Sequence, residues 1–185
     1  MSPALLSQRL KDLEAAGLVN RVPARGEPGL FAYRLAPAGE ATRGIVEALG
    51  YWGQAWVDSE LSLQKLDATL LMWDMRRNLD PTPLPPRRSV IQFQYPEQPP
   101  VQRAYWLVVA PGAETDLCST DPGFDVDLYA TSDLRTMTAI WMGLDRVRAA
   151  VRAERLRLVG DRGLAEQMQA WLGLSPFARE QRLAS

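Results

Sequence analysis

The sequence predicts an α+β protein built in two parts. Three observations carry this. The first 57 or so residues read as helix, hairpin, helix. A proline run, PTPLPP, closes a later amphipathic helix and opens a series of short strands separated by turn residues. After those strands, helical and strand patterns alternate to the end, the mixture expected of helices laid on a sheet.

In the first part, Ser2 suits an N-cap, and Pro3 stands at the first helical position, where its missing N–H costs nothing. Leu6, Leu10 and Leu13 recur at helical spacing, and Gly17 follows as a C-cap residue. LVNRV (Leu18 to Val22) reads as a strand, PARGEPG (Pro23 to Gly29) as a turn-rich loop and LFAYRL (Leu30 to Leu35) as a second strand. APAGEATRGIVEALGYWGQAW then returns to helical spacing, with Ile45, Leu49, Trp52 and Trp56 on one side. A helix over Ala38 to Val57 carries more aromatic surface than a lone helix on a small hairpin buries, so either the second domain or a second subunit covers it.

The second part is expected to begin near Asp58. Leu61 to Asp80 reads as a helix with Leu63, Leu66, Leu70 and Trp73 on one stripe, ended by the prolines. RSVIQFQY (Arg88 to Tyr95) alternates, with Ile91, Phe93 and Tyr95 on one face. RAYWLVVA (Arg103 to Ala110) is nearly all apolar and reads as a central strand. TDLCS and VDLYATS (Val126 to Ser132) continue an antiparallel meander. DLRTMTAIWMG and VRAAVRAE read as helices, RLRLVG as a strand and DRGLAEQMQAWLG as a last helix ended by Gly173. Residues 179–185 read as a tail.

Composition removes whole classes of chemistry. The chain has no histidine and a single cysteine, Cys118. That excludes a Ser-His-Asp triad, a histidine base, a Cys/His zinc cluster and an intrachain disulfide. No telling carboxylate pair and no glycine-rich phosphate loop appear, so no catalytic residue, metal ligand or cofactor is assigned. Net charge is only -1, which does not favour a strongly basic nucleic-acid binder but leaves room for a local patch. No apolar run approaches the roughly 18 residues of a membrane span, and no leader pattern is present, so a cytoplasmic location is expected.

On the first helix, Ala4, Ser7, Gln8 and Lys11 lie off the leucine face, with Ser2 at its start. These groups are small or polar enough to approach base edges, while Arg9, Arg21 and Arg25 are placed to neutralise phosphates. A plain amphipathic helix with a solvated face fits the spacing equally well. The words themselves go further. The run SPALLSQRLKDLEAAGLVNR, with Tyr33, Leu35 and Gly39, resembles the HxlR family of bacterial winged-helix regulators. The resemblance covers residues 1 to about 57 and implies a partial winged helix. It departs where the family's helix-capping threonine is replaced by Ala36, at a cost of about 1 kcal/mol of cap. The family carries roughly forty residues ahead of this point, so a start codon assigned too late or a truncated chain is expected.

VDLYATSDLRTMTAIWMG, RLRLVGDRGLAEQMQAWL and LSPFA are similar to the type-two sterol carrier fold over about residues 60 to 178. That likeness implies an α+β domain with an antiparallel or mixed sheet covered by helices, and in some members a pocket for apolar molecules. Trp73, Phe93, Tyr105, Leu107, Met137, Trp141 and Trp171 are then the candidate lining. Taken singly, each of these is a core residue before it is a ligand contact, since a domain of this size must bury a large apolar area anyway. Ser132, Asp133 and Thr136 read as helix-start caps before pocket anchors, Cys118 as a small buried hydrophobe, and Arg87 and Arg88 as a solvated strand entry.

The resulting expectation has a DNA-binding domain over 1–57 and a ligand-binding domain over 58–178. The protein is read as a dimeric transcriptional regulator that binds double-stranded operator DNA and an apolar small-molecule effector. The alternative is a lipid or apolar small-molecule carrier whose N-terminal segment serves dimerisation. An enzyme is not expected.

Overall fold

A computed structural model describes residues 3–24, 29–56, 63 and 66–179. Ser2, Arg25, the start of the expected helix at Leu61 and the tail beyond 179 lie outside the described residues. Packing divides the chain into two units, Met1–Gly53 and Gln54–Ser185.

The first unit runs α1 (Pro3–Ala15), β1 (Val19–Pro23), β2 (Phe31–Leu35), α2 (Pro37–Ala41) and α3 (Arg43–Trp56), the last turn of which passes the boundary at Gly53. Gly17, at φ 70, ends α1 in the left-handed conformation. The Leu18 N–H then donates back to Leu13 O, so the chain turns sharply into β1. β1 and β2 pair antiparallel, Val19 opposite Leu35 and Arg21 opposite Tyr33. α2 starts at Ala36, which offers no side-chain cap. The single long helix expected after the hairpin is two. Thr42 ends α2 by donating its hydroxyl to Gly39 O, and its own carbonyl accepts the first N–H groups of α3.

Gly39 lets α2 close on the base of the hairpin. A Cβ at this position would overlap the carbonyl oxygen of Leu18, where α2 rests on the entry to β1. Backbone contact this close admits no side chain.

The second unit runs α4 (Ala68–Asn78), β3 (Ser89–Gln94), β4 (Ala104–Val109), β5 (Asp116–Cys118), β6 (Leu128–Ser132), α5 (Leu134–Trp141), α6 (Val147–Arg152), β7 (Leu156–Gly160), α7 (Arg162–Glu166) and α8 (Met168–Leu172). The α+β class expected from the sequence holds. The sheet order is β5-β4-β3-β6-β7. β6 lies parallel to β3, and every other neighbouring pair is antiparallel. The expected meander therefore stops at β5. The chain crosses β4 and β3 before it forms β6; β4 is an interior strand, as expected, paired on both edges, and β3 beside it is the middle one. This crossing is pinned. Asp127 accepts the Val90 N–H at 2.8 Å and the Arg87 guanidinium at 2.7 Å, Arg87 reaches on to Asp161 at 3.4 Å, and Arg88 stacks 4.2 Å over Phe124. The strand entry expected to be merely solvated is thus a tie between β3, β6 and α7.

One face of the sheet presents Ile91, Phe93, Tyr105, Leu107, Leu128 and Ala130 to the helices. α4 corrects the sequence reading in start and in phase. Asp67 caps it by accepting the Leu70 N–H, so Leu63 and Leu66 precede the helix. Its buried stripe is Ala68, Leu71, Met72 and Met75, continued by Leu79, whereas Leu70 and Trp73 face outward. Both stripes satisfy helical spacing. The stripe with the two methionines is the one that meets the sheet. The last helix likewise breaks in two at Gln167. Both halves still reach the core through Leu164, Met168 and Trp171, and the Trp171 indole N–H donates to Leu164 O at 2.8 Å.

Two expected outcomes follow from the backbone. Gly39→Ala destabilises the first unit by about 1–3 kcal/mol, the usual cost of forcing a group into a filled site, read as a lower midpoint in chemical unfolding. Glu154 holds φ 57 in the exposed turn between α6 and β7. Replacing it by glycine relieves left-handed strain, so Glu154→Gly stabilises by about 0.5–1 kcal/mol.

Candidate DNA-reading face and ligand clefts

In the first unit, α1 leaves Ala4, Ser7, Gln8 and Lys11 exposed. At 100° per residue these four side chains fall within one stripe, away from Leu6, Leu10 and Leu13. Gln8 donates to Asp12 at 2.8 Å, and Arg9 lies 3.9 Å from the same carboxylate. Such exposed one-turn contacts are weak and exchange readily for a ligand. Leu6 and Leu13 are also exposed, at 49% and 39%. The leucine face of α1 is therefore largely uncovered by the hairpin.

The hairpin holds Arg21 in a defined position, with its guanidinium 3.8 Å over the Phe31 ring. A stacked guanidinium keeps its edge donors free for an oxyanion while losing little further entropy on binding. Sequence reasoning missed Arg34. It is exposed on β2 opposite Asn20, on the other side of the ribbon from Arg21. Strand alternation would have found it, because cross-strand neighbours share a face.

On α3, Ile45, Val46, Leu49, Trp52 and Trp56 are all exposed. They form one exposed apolar side of the helix.

In the second unit the seven candidate ligand residues separate. Phe93, Leu107, Met137 and Trp171 are core side chains with no exposed surface, and they line none of the described clefts. Trp73, Tyr105 and Trp141 reach the surface clefts. A cleft of about 650 Å³ runs between α4 and α5, walled by Leu70, Trp73, Trp141 and Met142, with Asp74 among them. A smaller one of about 320 Å³ lies on the other side of Trp73, against Tyr105, Val101 and Leu117. Trp73 is thus the partition between them. Arg76 and Arg77 lie 5.1 Å and 5.9 Å from its ring.

The polar groups around these clefts are mostly committed to structure. Asp74 accepts the Trp141 indole N–H at 2.7 Å and the Asn78 amide at 3.1 Å. Tyr105 and Thr69 share a 2.9 Å hydrogen bond. Asp133 caps α5, accepting both the N–H and the hydroxyl of Thr136, and Glu97 accepts the Leu134 N–H. Ser132, expected to share the capping, does not: its hydroxyl is buried without a partner among the described residues. Tyr95, wholly buried, donates to the Met72 sulfur at 3.1 Å, and burial pushes its phenol well above the ordinary value. Cys118 is half-buried, and burial together with Asp116 raises its thiol, which works against a reactive thiolate. Among the described residues no cluster of three potential metal-binding side chains exists, and no helix is long and apolar enough to cross a membrane.

The first unit has a counterpart among known proteins. Residues 1–61 match the family of HxlR-like helix-turn-helix proteins. The exposed stripe of α1 and the β1–β2 ribbon lie within the matched segment. No curated protein matches the chain.

Among solved structures, the chain is similar to sterol carrier protein 2 like 2 from Aedes aegypti, at 18% identity and a TM-score of 0.40 over 54% of this chain and 91% of that one. A Thermus thermophilus protein described as possibly a sterol carrier protein gives 17%, 0.40, 62% and 88%. The inverting sec-alkylsulfatase Pisa1 from Pseudomonas sp. gives 14% and 0.45 over 60% of this chain but only 16% of its own length. Likeness at this level describes shape and assigns no activity.

Asp74→Ala strands the Trp141 indole N–H in the wall of the larger cleft, so it costs about 1–3 kcal/mol of stability. The same substitution made on Trp141→Phe costs less, which a double-mutant unfolding cycle reads directly.

Proposed function

We propose that this protein is a DNA-binding transcriptional regulator of the HxlR-like type, whose second unit binds an apolar small molecule and biases DNA binding. The observation that carries the reading is the HxlR-like match over residues 1–61, on a segment whose α1 holds Ala4, Ser7, Gln8 and Lys11 clear of the leucine face. In this reading Ser2, Ala4, Ser7 and Gln8 meet base edges, while Arg9, Lys11, Arg21 and Arg25 meet phosphates. The protein acts as a homodimer, with the apolar side of α3 in the subunit contact. The effector occupies the clefts parted by Trp73, with Tyr105 and Trp141 in their walls. It acts by preferring one of two dimer arrangements, since a ligand shifts an equilibrium only by its difference in affinity for the two states. No catalytic step, metal or cofactor enters.

Fluorescence anisotropy with the DNA upstream of the protein's own gene tests the reading. Binding is expected to be sequence-selective and to weaken steeply with salt. Arg21→Gln is expected to lower the slope of log K against log salt by about 0.9, the share of one phosphate contact, and to leave sequence preference intact. Binding without sequence preference or salt dependence overturns the proposal.

The exposed aromatic side of α3 also supports the carrier reading, in which the first unit only dimerises the chain. Native mass spectrometry separates the two. Co-purified lipid on a dimer with no DNA affinity favours the carrier. For either reading, Trp52→Asp is expected to shift the light-scattering mass from dimer to monomer.

A further inference from the structure

A third surface of the second unit has a different chemistry from the clefts at Trp73. α6, β7, α7 and α8 enclose a groove of about 770 Å³, within the size range of small-molecule sites. Its floor is aliphatic: Val151 is 41% exposed, beside the half-buried Leu158 and Ala165. Its rim carries Arg146, Arg148 and Arg152, all exposed. Arg148 and Arg152 stand one turn apart on α6, on the same side of the helix.

The neighbouring carboxylates leave this rim with a net positive charge. Asp145 is taken by Arg155 at 2.6 Å; Glu166, the one carboxylate lining the groove, meets Arg162 at 2.7 Å in an exposed one-turn pair and offsets at most one of the three rim charges. Gln169 accepts the Val147 N–H at 3.0 Å, which ties α8 to the start of α6 and fixes the groove wall. Among the described residues none of the three rim arginines forms an ion pair. Three unpaired guanidinium groups around an apolar floor, in a chain whose net charge is -1, are a local excess that solvation alone does not require.

We propose that this groove binds a small amphiphile with a multiply charged phosphate head: a phosphate or diphosphate monoester of an aliphatic alcohol. The head accepts paired N–H donors from Arg148 and Arg152, with Arg146 at its side, since guanidinium and phosphate match in fork geometry. The aliphatic body covers Val151, Leu158 and Ala165. Concavity argues against a nucleic-acid backbone, which needs charge but no apolar floor. The charge argues against a neutral lipid, which needs the floor but no arginine. The site is separate from the clefts at Trp73, and its test does not depend on DNA binding.

Isothermal titration of the full chain with decyl phosphate, kept below its aggregation concentration at low salt, reads the site directly. Saturable one-to-one binding is expected, at least tenfold tighter than decanol or inorganic phosphate alone. The double substitution R148Q/R152Q weakens it at least tenfold, with thermal unfolding unchanged because both side chains are exposed. Val151→Asp weakens it independently of the rim, whereas Trp73→Ala leaves it unchanged. Equal affinity for decanol, indifference to R148Q/R152Q, or loss on Trp73→Ala overturns the proposal. So does a rim that binds only a DNA duplex, or only phosphatidic acid vesicles.

Discussion

The middle strand of the larger sheet sets the terms for everything around it. β3 has to be paired along both edges and covered on the face that carries Ile91 and Phe93. A strand in that position leaves no backbone donor for water, so its neighbours must supply the whole ladder. β4 does this from one side by a local turn. β6 does it from the other side only after the chain has crossed two strands, and Arg87, Asp127 and Asp161 hold that crossing in place. The helices then follow. α4 and α5, started by the caps Asp67 and Asp133, bury Met72, Met75, Met137 and Ile140 in the core with β3 and its partners. The clefts and the arginine-rimmed groove are what remains at the edges of this packing.

Much of the first unit was legible in the sequence because its interactions are local. The helix, the glycine at its end, the loop and the two strands each follow from neighbours a few residues apart. Gly39 was legible as part of a family word, but its reason was not, since only the folded chain shows the Leu18 carbonyl against it. The break at Thr42 was hidden because Ile45, Leu49 and Trp52 keep helical spacing across α3 with or without it. Arg21 was legible as a charge, and its stack on Phe31 depends on the hairpin register.

The second unit was legible in its elements and less so in their arrangement. Alternation identified β3 and its inward side chains, Ile91, Phe93 and Tyr95, yet period alone cannot say that β6 lies beside β3 and parallel to it. In α4 two overlapping stripes both fit a helix. The stripe with the leucines looked stronger, but the methionines met the sheet. Their unbranched chains fill the space that branched ones would leave. Of the ligand candidates, Trp73, Tyr105 and Trp141 reach clefts, and Phe93, Leu107, Met137 and Trp171 belong to the core. Size and hydrophobicity are shared by both groups, and Tyr105 and Trp141 are themselves buried in the core, so only their position at a cleft wall separates them, with Trp73 alone exposed.

The parallel pairing of β3 with β6 also orders events in time. Every strand contact of the first unit joins residues close in sequence, as β1 with β2, so its hairpin closes early. In the second unit, Ile91 waits for Leu128, and loop closure of that length precedes most of the core's reward. Chains with such distant pairings cross their barrier more slowly than those with local ones. The two units of this protein are therefore expected to fold on different clocks, the small one fast and the large one gated by the arrival of a single strand.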